Sequence, residues 1–195
     1  MPIEVLEPNA EITVVERKAA DLLDRLDGKI VAYHHARGPY LGVSAFADRL
    51  GELLLAKHGI RDFVKLKSIV DNGAAGWSDP DLPAIIERVY DKYAKQVDCV
   101  VVGAAFCGGS TYWSTQAACE FQDRGVPSVL LVSAAFRDLA QFTCEIRGYR
   151  ELPMLELPDD FETKNEAEMH VLAERHVGDA ARLVAKQGVL AAARA

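Results

Sequence analysis

The hydrophobic residues of this chain fall into two alternating patterns. Residues 98–104 form a continuous apolar run, which is typical of a strand covered on both faces of a sheet. Residues 44–58 instead repeat their apolar positions every three or four residues, the spacing of one helix face, and Gly59 follows as a stop signal. The alternation of such segments predicts a chain in which strands and helices take turns.

The same patterns extend along the rest of the chain. Strands are predicted at residues 29–35, 62–66, 98–104, 126–133 and 154–157, the last as a short edge strand. Helices are predicted at residues 44–58, from 81 or 83 to 93, at 114–124, at 136–147, and from an Asn165 cap to about 186. This order predicts an α/β three-layer sandwich around a central, mostly parallel sheet of four to five strands. A flavodoxin-like strand order, 2-1-3-4-5, and the order 3-2-1-4-5 both stay open, and both make the first strand central.

Three regions are expected along the chain. Residues 29–160 are predicted to form the core domain, and residues 161–195 a C-terminal helix packed on it. Residues 1–28 are predicted to be an N-terminal arm or an amphipathic helix, because Ala19, Leu22, Leu23 and Leu26 have helical spacing. A dimer is expected from this arm and from the aromatic residues Trp77, Tyr112 and Trp113, which are predicted to form a site wall or a subunit contact.

The amino-acid composition limits the possible binding partners and the cellular compartment of the protein. The formal charge of −7 argues against a nucleic-acid partner or a membrane surface. No run approaches the ~20 apolar residues of a membrane helix, and the start lacks a signal-peptide pattern, so a cytoplasmic protein is expected. The four cysteines show no CxxC or zinc-finger spacing, which predicts free thiols and no metal site.

Cys107 carries the functional prediction. It follows the apolar strand 98–104 and precedes glycines and a helix, so it is expected at the carboxyl edge of the sheet, where α/β proteins bind ligands. Cys99, Cys119 and Cys144 lie within predicted strands or helices and are interpreted as buried core residues. We therefore predict Cys107 as a nucleophile or an acid/base group.

A reactive thiol at this position needs help from other groups. A helix N-terminus stabilises a thiolate by about 0.3–1 kcal/mol, and up to about 2, which is too little to ionise most of a thiol at neutral pH. His34 or His35, at the end of the first strand, is the predicted proton partner. Strand alternation places these two on opposite sides, so at most one faces Cys107 directly. Arg37 and Lys67 are the predicted anchors for substrate charge.

The turn after the thiol is a candidate anion site. Its residues, predicted to bind substrate through their amides and hydroxyls, are Gly108, Gly109, Ser110 and Thr111. No Lys follows the glycines, so the turn is not a nucleotide P-loop, and a small carboxylate or oxyanion fits better. No cofactor is expected: the loop 36–41 lacks the Ser/Thr-rich phosphate cradle that FMN would need.

These residues resemble the UGSC family, small proteins named for a selenocysteine-Gly-Ser-Cys turn that many members carry as Cys-Gly-Ser-Cys. The resemblance covers residues 26–140 and includes the lead into the first strand, the Cys107-Gly108 turn with Thr111, and residues 124–127 before the next strand. It implies thiol or selenol redox chemistry. This chain departs from the motif, since Ser110 stands where the family has its second, resolving cysteine. The end of the first strand, residues 33–38, also lacks the family's Asn-containing turn.

A weaker likeness is to one half of the aspartate/glutamate racemase and arylmalonate decarboxylase group, where a strand-end cysteine opens a helix over a carboxylate. We therefore expect a thiol-dependent, cofactor-independent enzyme of hydrolase, lyase or isomerase type that acts on a small anionic metabolite. Two alternatives stay open. One is a thiol oxidoreductase that uses Cys107 with an external or partner thiol. The other is a non-catalytic subunit that forms a heteromer with a paralogue bearing the full motif. In that case the partner is the paralogue and not a second copy of this chain.

Overall fold

A computed structural model describes residues 14–36, 41–76 and 78–186 of the chain. Its strands are β1 (Ile30–His34), β2 (Asp62–Leu66), β3 (Cys99–Ala105), β4 (Ser128–Ser133) and β5 (Met154–Leu157). Its α-helices are α1 (Leu41–His58), α2 (Leu82–Ala94), α3 (Gly108–Asp123), α4 (Arg137–Ile146) and α5 (Glu166–Val184). Each strand and helix predicted between residues 29 and 186 is present, with bounds that differ by a few residues.

The five strands form one parallel sheet in the order β2-β1-β3-β4-β5. This is the flavodoxin-like order, and it decides between the two orders that the sequence left open. The chain leaves β1 for β2 on one side and reaches β3 on the other. The carboxyl ends of β1 and β3 are therefore neighbours, at the point where open α/β sheets of this order bind their ligands.

Two hydrophobic cores lie on opposite faces of the sheet, because alternate strand residues point to opposite sides. In β3, Cys99 and Val101 pack with α1 and α5, whereas Val100 and Val102 pack with α2, α3 and α4. All seven residues of β3 are buried, as the apolar run predicts. The result is a three-layer α/β sandwich.

Residues 14–28 form no helix and lie along other elements. The amide of Arg17 donates to the Gly148 carbonyl at 2.8 Å, and the amide of Ala20 donates to the Gln122 side chain at 2.7 Å. Leu23 forms a parallel bridge with Ala185. The apolar spacing suggests a helix, but the segment is extended and its apolar residues contact both cores. Leu26 is buried in one of them. The amides of Arg17, Ala20 and Leu23 donate to other elements instead of to a helix of their own.

The one clear boundary error lies at α3. The sequence pattern predicts helix from residue 114, with a start near Thr111 at the earliest, but α3 begins at Gly108. Glycines are poor helix formers, so the pattern marks them as a turn. In the structure Cys107 caps the helix, and the cap holds both glycines in its first turn. This shift places the thiol directly at the helix N-terminus.

Candidate functional site

The carboxyl edge of the sheet brings three of the predicted segments together. His34, the last residue of β1, is in register with Leu66 of β2 and with Val102 of β3. The segments that follow these strands contain His35, Lys67 and Cys107. Because the strand order is β2-β1-β3, the end of β1 lies between the other two.

Cys107 caps α3 with its side chain. Its Sγ accepts a hydrogen bond from the backbone amide of Ser110 at 3.4 Å, and the Ser110 side chain accepts one from the Cys107 amide at 3.0 Å. This is a capping box in which a thiol takes the place usual for a Ser or Thr hydroxyl. Cys107 is partly exposed, whereas Cys99, Cys119 and Cys144 are buried. The thiol at the helix N-terminus is the accessible one among these four.

The Ser110 hydroxyl is buried against Cys107. It accepts from the amides of Phe106 and Cys107, at 3.1 and 3.0 Å, and the Cys107 thiol is 3.2 Å away. It also lies 3.1 Å from the Cys107 carbonyl, to which it donates. Ser110 is only 1% exposed. Its hydroxyl thus faces the cysteine, and this was not foreseen from the sequence, although the spacing of three residues is the capping-box spacing.

Gly108 and Gly109 supply the first two amides of α3. Both residues are exposed, and a Cβ at Gly108 would meet no atom within 4 Å. No hydrogen bond joins either amide to an acceptor among the described residues. The amides of the first helical turn have no intrahelical partner and carry the positive end of the helix dipole. Two backbone amides therefore lie beside the sulfur, where they can donate to a carbonyl oxygen or a carboxylate.

Thr111 and Thr115 follow Cys107 at intervals of four residues, so all three lie on one face of α3. Both threonines are fully buried. Neither hydroxyl has a hydrogen-bond partner within the described parts of the chain. The Thr111 amide donates to the Cys107 carbonyl at 2.8 Å, which closes the first turn of the helix.

His34 is enclosed by aromatic side chains. Its Nε2 lies 3.0 Å from the Tyr90 hydroxyl, and its ring stands edge-on to the rings of Tyr90 and Phe121 at centroid distances of 5.5 and 5.7 Å. Burial, and then the nearby His35, lower the pKa of His34 to about 3, against a smaller opposing effect of the Leu66 backbone. His34 is therefore neutral at neutral pH and is held inside the α2–α3 layer.

The other predicted groups differ in their accessibility. His35, on the residue after β1, is 5% exposed. Lys67 is exposed at the end of β2, which is the edge strand two positions from β3. With strands ~4.8 Å apart, that places its backbone about 10 Å from the end of β3, within reach of a long side chain. Arg37 and Trp77 lie outside the described residues.

The other three cysteines are buried, and the two aromatic residues at the start of α3 contact each other. Burial raises the pKa of Cys99 to about 12. A hydrogen bond with Cys119, together with burial, raises the pKa of the Cys144 thiol, so Cys144 stays protonated in the core between α3 and α4. Tyr112 and Trp113 pack edge-to-face at 5.0 Å, and Tyr112 is 45% exposed.

Within residues 14–36, 41–76 and 78–186, no three His, Cys, Asp or Glu side chains converge as a metal site. In the same part of the chain, no helix has both the length and the apolar character needed to cross a membrane.

Comparison with known proteins identifies one family. The model of the UGSC family matches residues 4–186, a span that includes the N-terminal arm, all five strands and α5. No curated protein matches the chain.

Proposed function

The chain belongs to the UGSC family, and from this premise we propose that it is a thiol-dependent, cofactor-independent enzyme in which Cys107 attacks a carbonyl carbon of a small anionic metabolite. The observation that carries the proposal is the position of Cys107. Its partly exposed thiol caps α3, directly beside the exposed amides of Gly108 and Gly109. A nucleophile and a pair of preorganised donors are the two parts that acyl chemistry needs.

The chemical step uses these parts in order. The thiolate of Cys107 adds to the carbonyl carbon and forms a C–S bond, while the carbonyl electron pair moves to oxygen. The amides of Gly108 and Gly109 donate to that oxyanion. Collapse of the adduct expels the leaving group, which takes up a proton, and leaves a thioester on Cys107. Water then hydrolyses the thioester, which releases the acid and restores the thiol.

His35 is the better candidate for the proton partner. His34 is neutral, fully buried and in contact with Tyr90, so its imidazole has no route to a substrate at the sheet edge. His35 follows β1 at the carboxyl edge, next to the end of β3. In this proposal His35 takes the thiol proton and returns it to the leaving group.

The substrate's negative charge needs a second contact. Lys67 is exposed at the same edge of the sheet and carries a flexible cation. Arg37, on the loop after β1, is the other cation that the proposal assigns to this role. A carboxylate held by one of them would leave the substrate's carbonyl group free to approach Cys107.

The proposal predicts that Cys107→Ser abolishes turnover. The assay uses p-nitrophenyl esters and thioesters that bear a free carboxylate, with neutral esters of the same size as the comparison. We expect hydrolysis to favour the anionic probes and to fall about 10⁴-fold or more in Cys107→Ser, because a serine hydroxyl is a far weaker nucleophile here. The matched control is Cys99→Ala, which removes a buried thiol and should keep the activity.

Mass spectrometry completes the test. A burst of p-nitrophenol with an acyl adduct on the Cys107 peptide supports the mechanism. Full activity in Cys107→Ser would contradict it.

A single-thiol redox function is the second candidate, and membership in the UGSC family favours it. Cys107 is accessible, and Ser110 occupies the position three residues later. Reduction of a disulfide by Cys107 would give a mixed disulfide that an external thiol must resolve, because a hydroxyl cannot. Incubation with oxidised glutathione separates the two functions. A glutathione adduct on Cys107 that reduced glutathione removes with turnover favours the redox function, whereas an acyl adduct favours hydrolysis.

A further inference from the structure

The hydrogen bonds around Ser110 leave no acceptor there for a proton on the Cys107 sulfur. A hydroxyl has one donor and two acceptor lone pairs. The Ser110 oxygen already accepts from the amides of Phe106 and Cys107. A protonated Cys107 thiol, 3.2 Å away, therefore finds no lone pair on that oxygen and gains no hydrogen bond by turning its S–H toward Ser110.

Removal of that proton makes the sulfur an acceptor that the Ser110 hydroxyl can reach. The Ser110 hydroxyl can turn its hydrogen from the Cys107 carbonyl, at 3.1 Å, to the thiolate sulfur, at 3.2 Å. The oxygen then accepts two hydrogen bonds and donates one, which matches its capacity. The Cys107 carbonyl is not left unpaired, because the Thr111 amide donates to it at 2.8 Å. The thiolate gains a charge-assisted bond at little cost elsewhere.

A second donor points at the sulfur from the same residue. The Ser110 amide donates to Sγ at 3.4 Å, so the backbone and the side chain of one residue both face the sulfur. Ser110 is 1% exposed and does not reach the open side of the site, where Gly108 and Gly109 lie. Its hydroxyl is therefore committed to Cys107 and is not available to a substrate.

We infer that Ser110 is a positioning residue that holds Cys107 as a thiolate, and not a substrate-binding residue. The inference deepens the proposed function, since it assigns the group that prepares the nucleophile. Ser110 stands where the UGSC resemblance places the second cysteine. At this position the chain thus has a hydroxyl that stabilises the Cys107 thiolate, where the family motif has a thiol that would resolve a mixed disulfide.

The test measures the pH dependence of Cys107 alkylation by iodoacetamide, with the Cys107 peptide quantified by mass spectrometry over about pH 5 to 10. We expect Ser110→Ala to move the midpoint upward by about one unit and to slow alkylation at neutral pH about three- to tenfold. The control Thr115→Val removes a buried hydroxyl from the same helix and should leave the profile unchanged.

A matched pair guards against a folding artefact. Ser110→Thr and Ser110→Val add the same methyl group, and only threonine keeps the hydroxyl. We expect Ser110→Thr to stay within about twofold of the wild-type rate and Ser110→Val to behave like Ser110→Ala. Identical profiles for the threonine and valine variants, or a wild-type profile in Ser110→Ala, would overturn the inference.

The readout needs no turnover and is therefore independent of the proposed function. If Cys107→Ser kept its activity while Ser110→Ala still shifted the alkylation profile, only the proposed function would fail. If Cys107→Ser were inactive and the Ser110 variants left the profile unchanged, only the role of Ser110 would fail.

Discussion

At the scale of single residues, Cys107 and Ser110 form the most informative contact in the molecule. Their side chains meet at 3.2 Å across the first turn of α3, and the two residues are three positions apart in the chain. The contact is local, because both residues belong to one capping box. A change at either position therefore tests the chemistry of the cap without rearranging the sheet.

We predict that Ser110→Cys forms a disulfide with Cys107 under mild oxidation by diamide. The hydroxyl oxygen already lies within a short contact of the sulfur, and a thiol in its place needs only a small approach to reach bonding distance. Intact mass should show the loss of two hydrogens, reversed by dithiothreitol, together with loss of alkylatable Cys107.

Wild-type protein and Thr115→Cys serve as controls for that experiment. Thr115 lies on the same helix face but two turns from the cap, so its variant should not crosslink to Cys107. Failure of Ser110→Cys to crosslink while Cys107 remains alkylatable would contradict the contact between the two side chains.

His34 illustrates how a residue's surroundings change its role. From the sequence, His34 and His35 are equivalent candidates at the end of β1. In the structure Tyr90 and Phe121 enclose His34, and burial lowers its pKa to about 3. No local pattern could reveal this, because the enclosing rings lie 56 and 87 positions further along the chain.

At the scale of elements, the caps decide where helices begin. Both α3 and α5 start with a capping box, the first built from Cys107 and Ser110 and the second from Asn165 and Glu168. The α5 cap was predicted, because Asn is a strong N-cap and acidic residues follow it. The α3 cap was not, because cysteine is not a usual capping residue and glycines follow it.

We predict that Asn165→Ala lowers the free energy of unfolding by about 1 kcal/mol. The Asn165 side chain accepts from the Glu168 amide at 3.0 Å, and alanine leaves that amide without its partner. Urea denaturation measures the change, and Asn165→Asp, which keeps the acceptor, should stay close to wild type. Equal stability of the alanine and wild-type proteins would mean that the cap does not contribute.

At the scale of the whole molecule, Asp123 joins the N-terminal arm to the core. Its carboxylate forms ion pairs with Arg17 of the arm and with Arg147, and it accepts a hydrogen bond from Tyr149. Burial opposes the charge, but the hydrogen bonds from Tyr149, Arg17 and Arg147 outweigh it and lower the pKa of Asp123. The charged form is therefore favoured in the folded protein.

We predict that Asp123→Asn destabilises the protein at pH 7 by about 1–2 kcal/mol and that the gap to wild type narrows in acid. Because the folded pKa lies below the unfolded value of about 3.9, the stabilisation is present above that pH and is lost as the pH falls through the folded pKa. Denaturation at pH 7 and at about pH 2 measures it. A gap that is the same at both pH values would contradict the linkage.

Sequence alone determined the succession of strands and helices, the parallel α/β class and the position of Cys107 after the most buried strand. These follow from short-range properties, since apolar periodicity, turn residues and polar caps act within a few positions. The strand order, the enclosure of His34 and the extended course of residues 14–28 were decided by tertiary structure. Each depends on contacts between residues far apart in the chain. The free energy of burying one segment against another depends on both segments, so the sequence pattern of one segment cannot predict it.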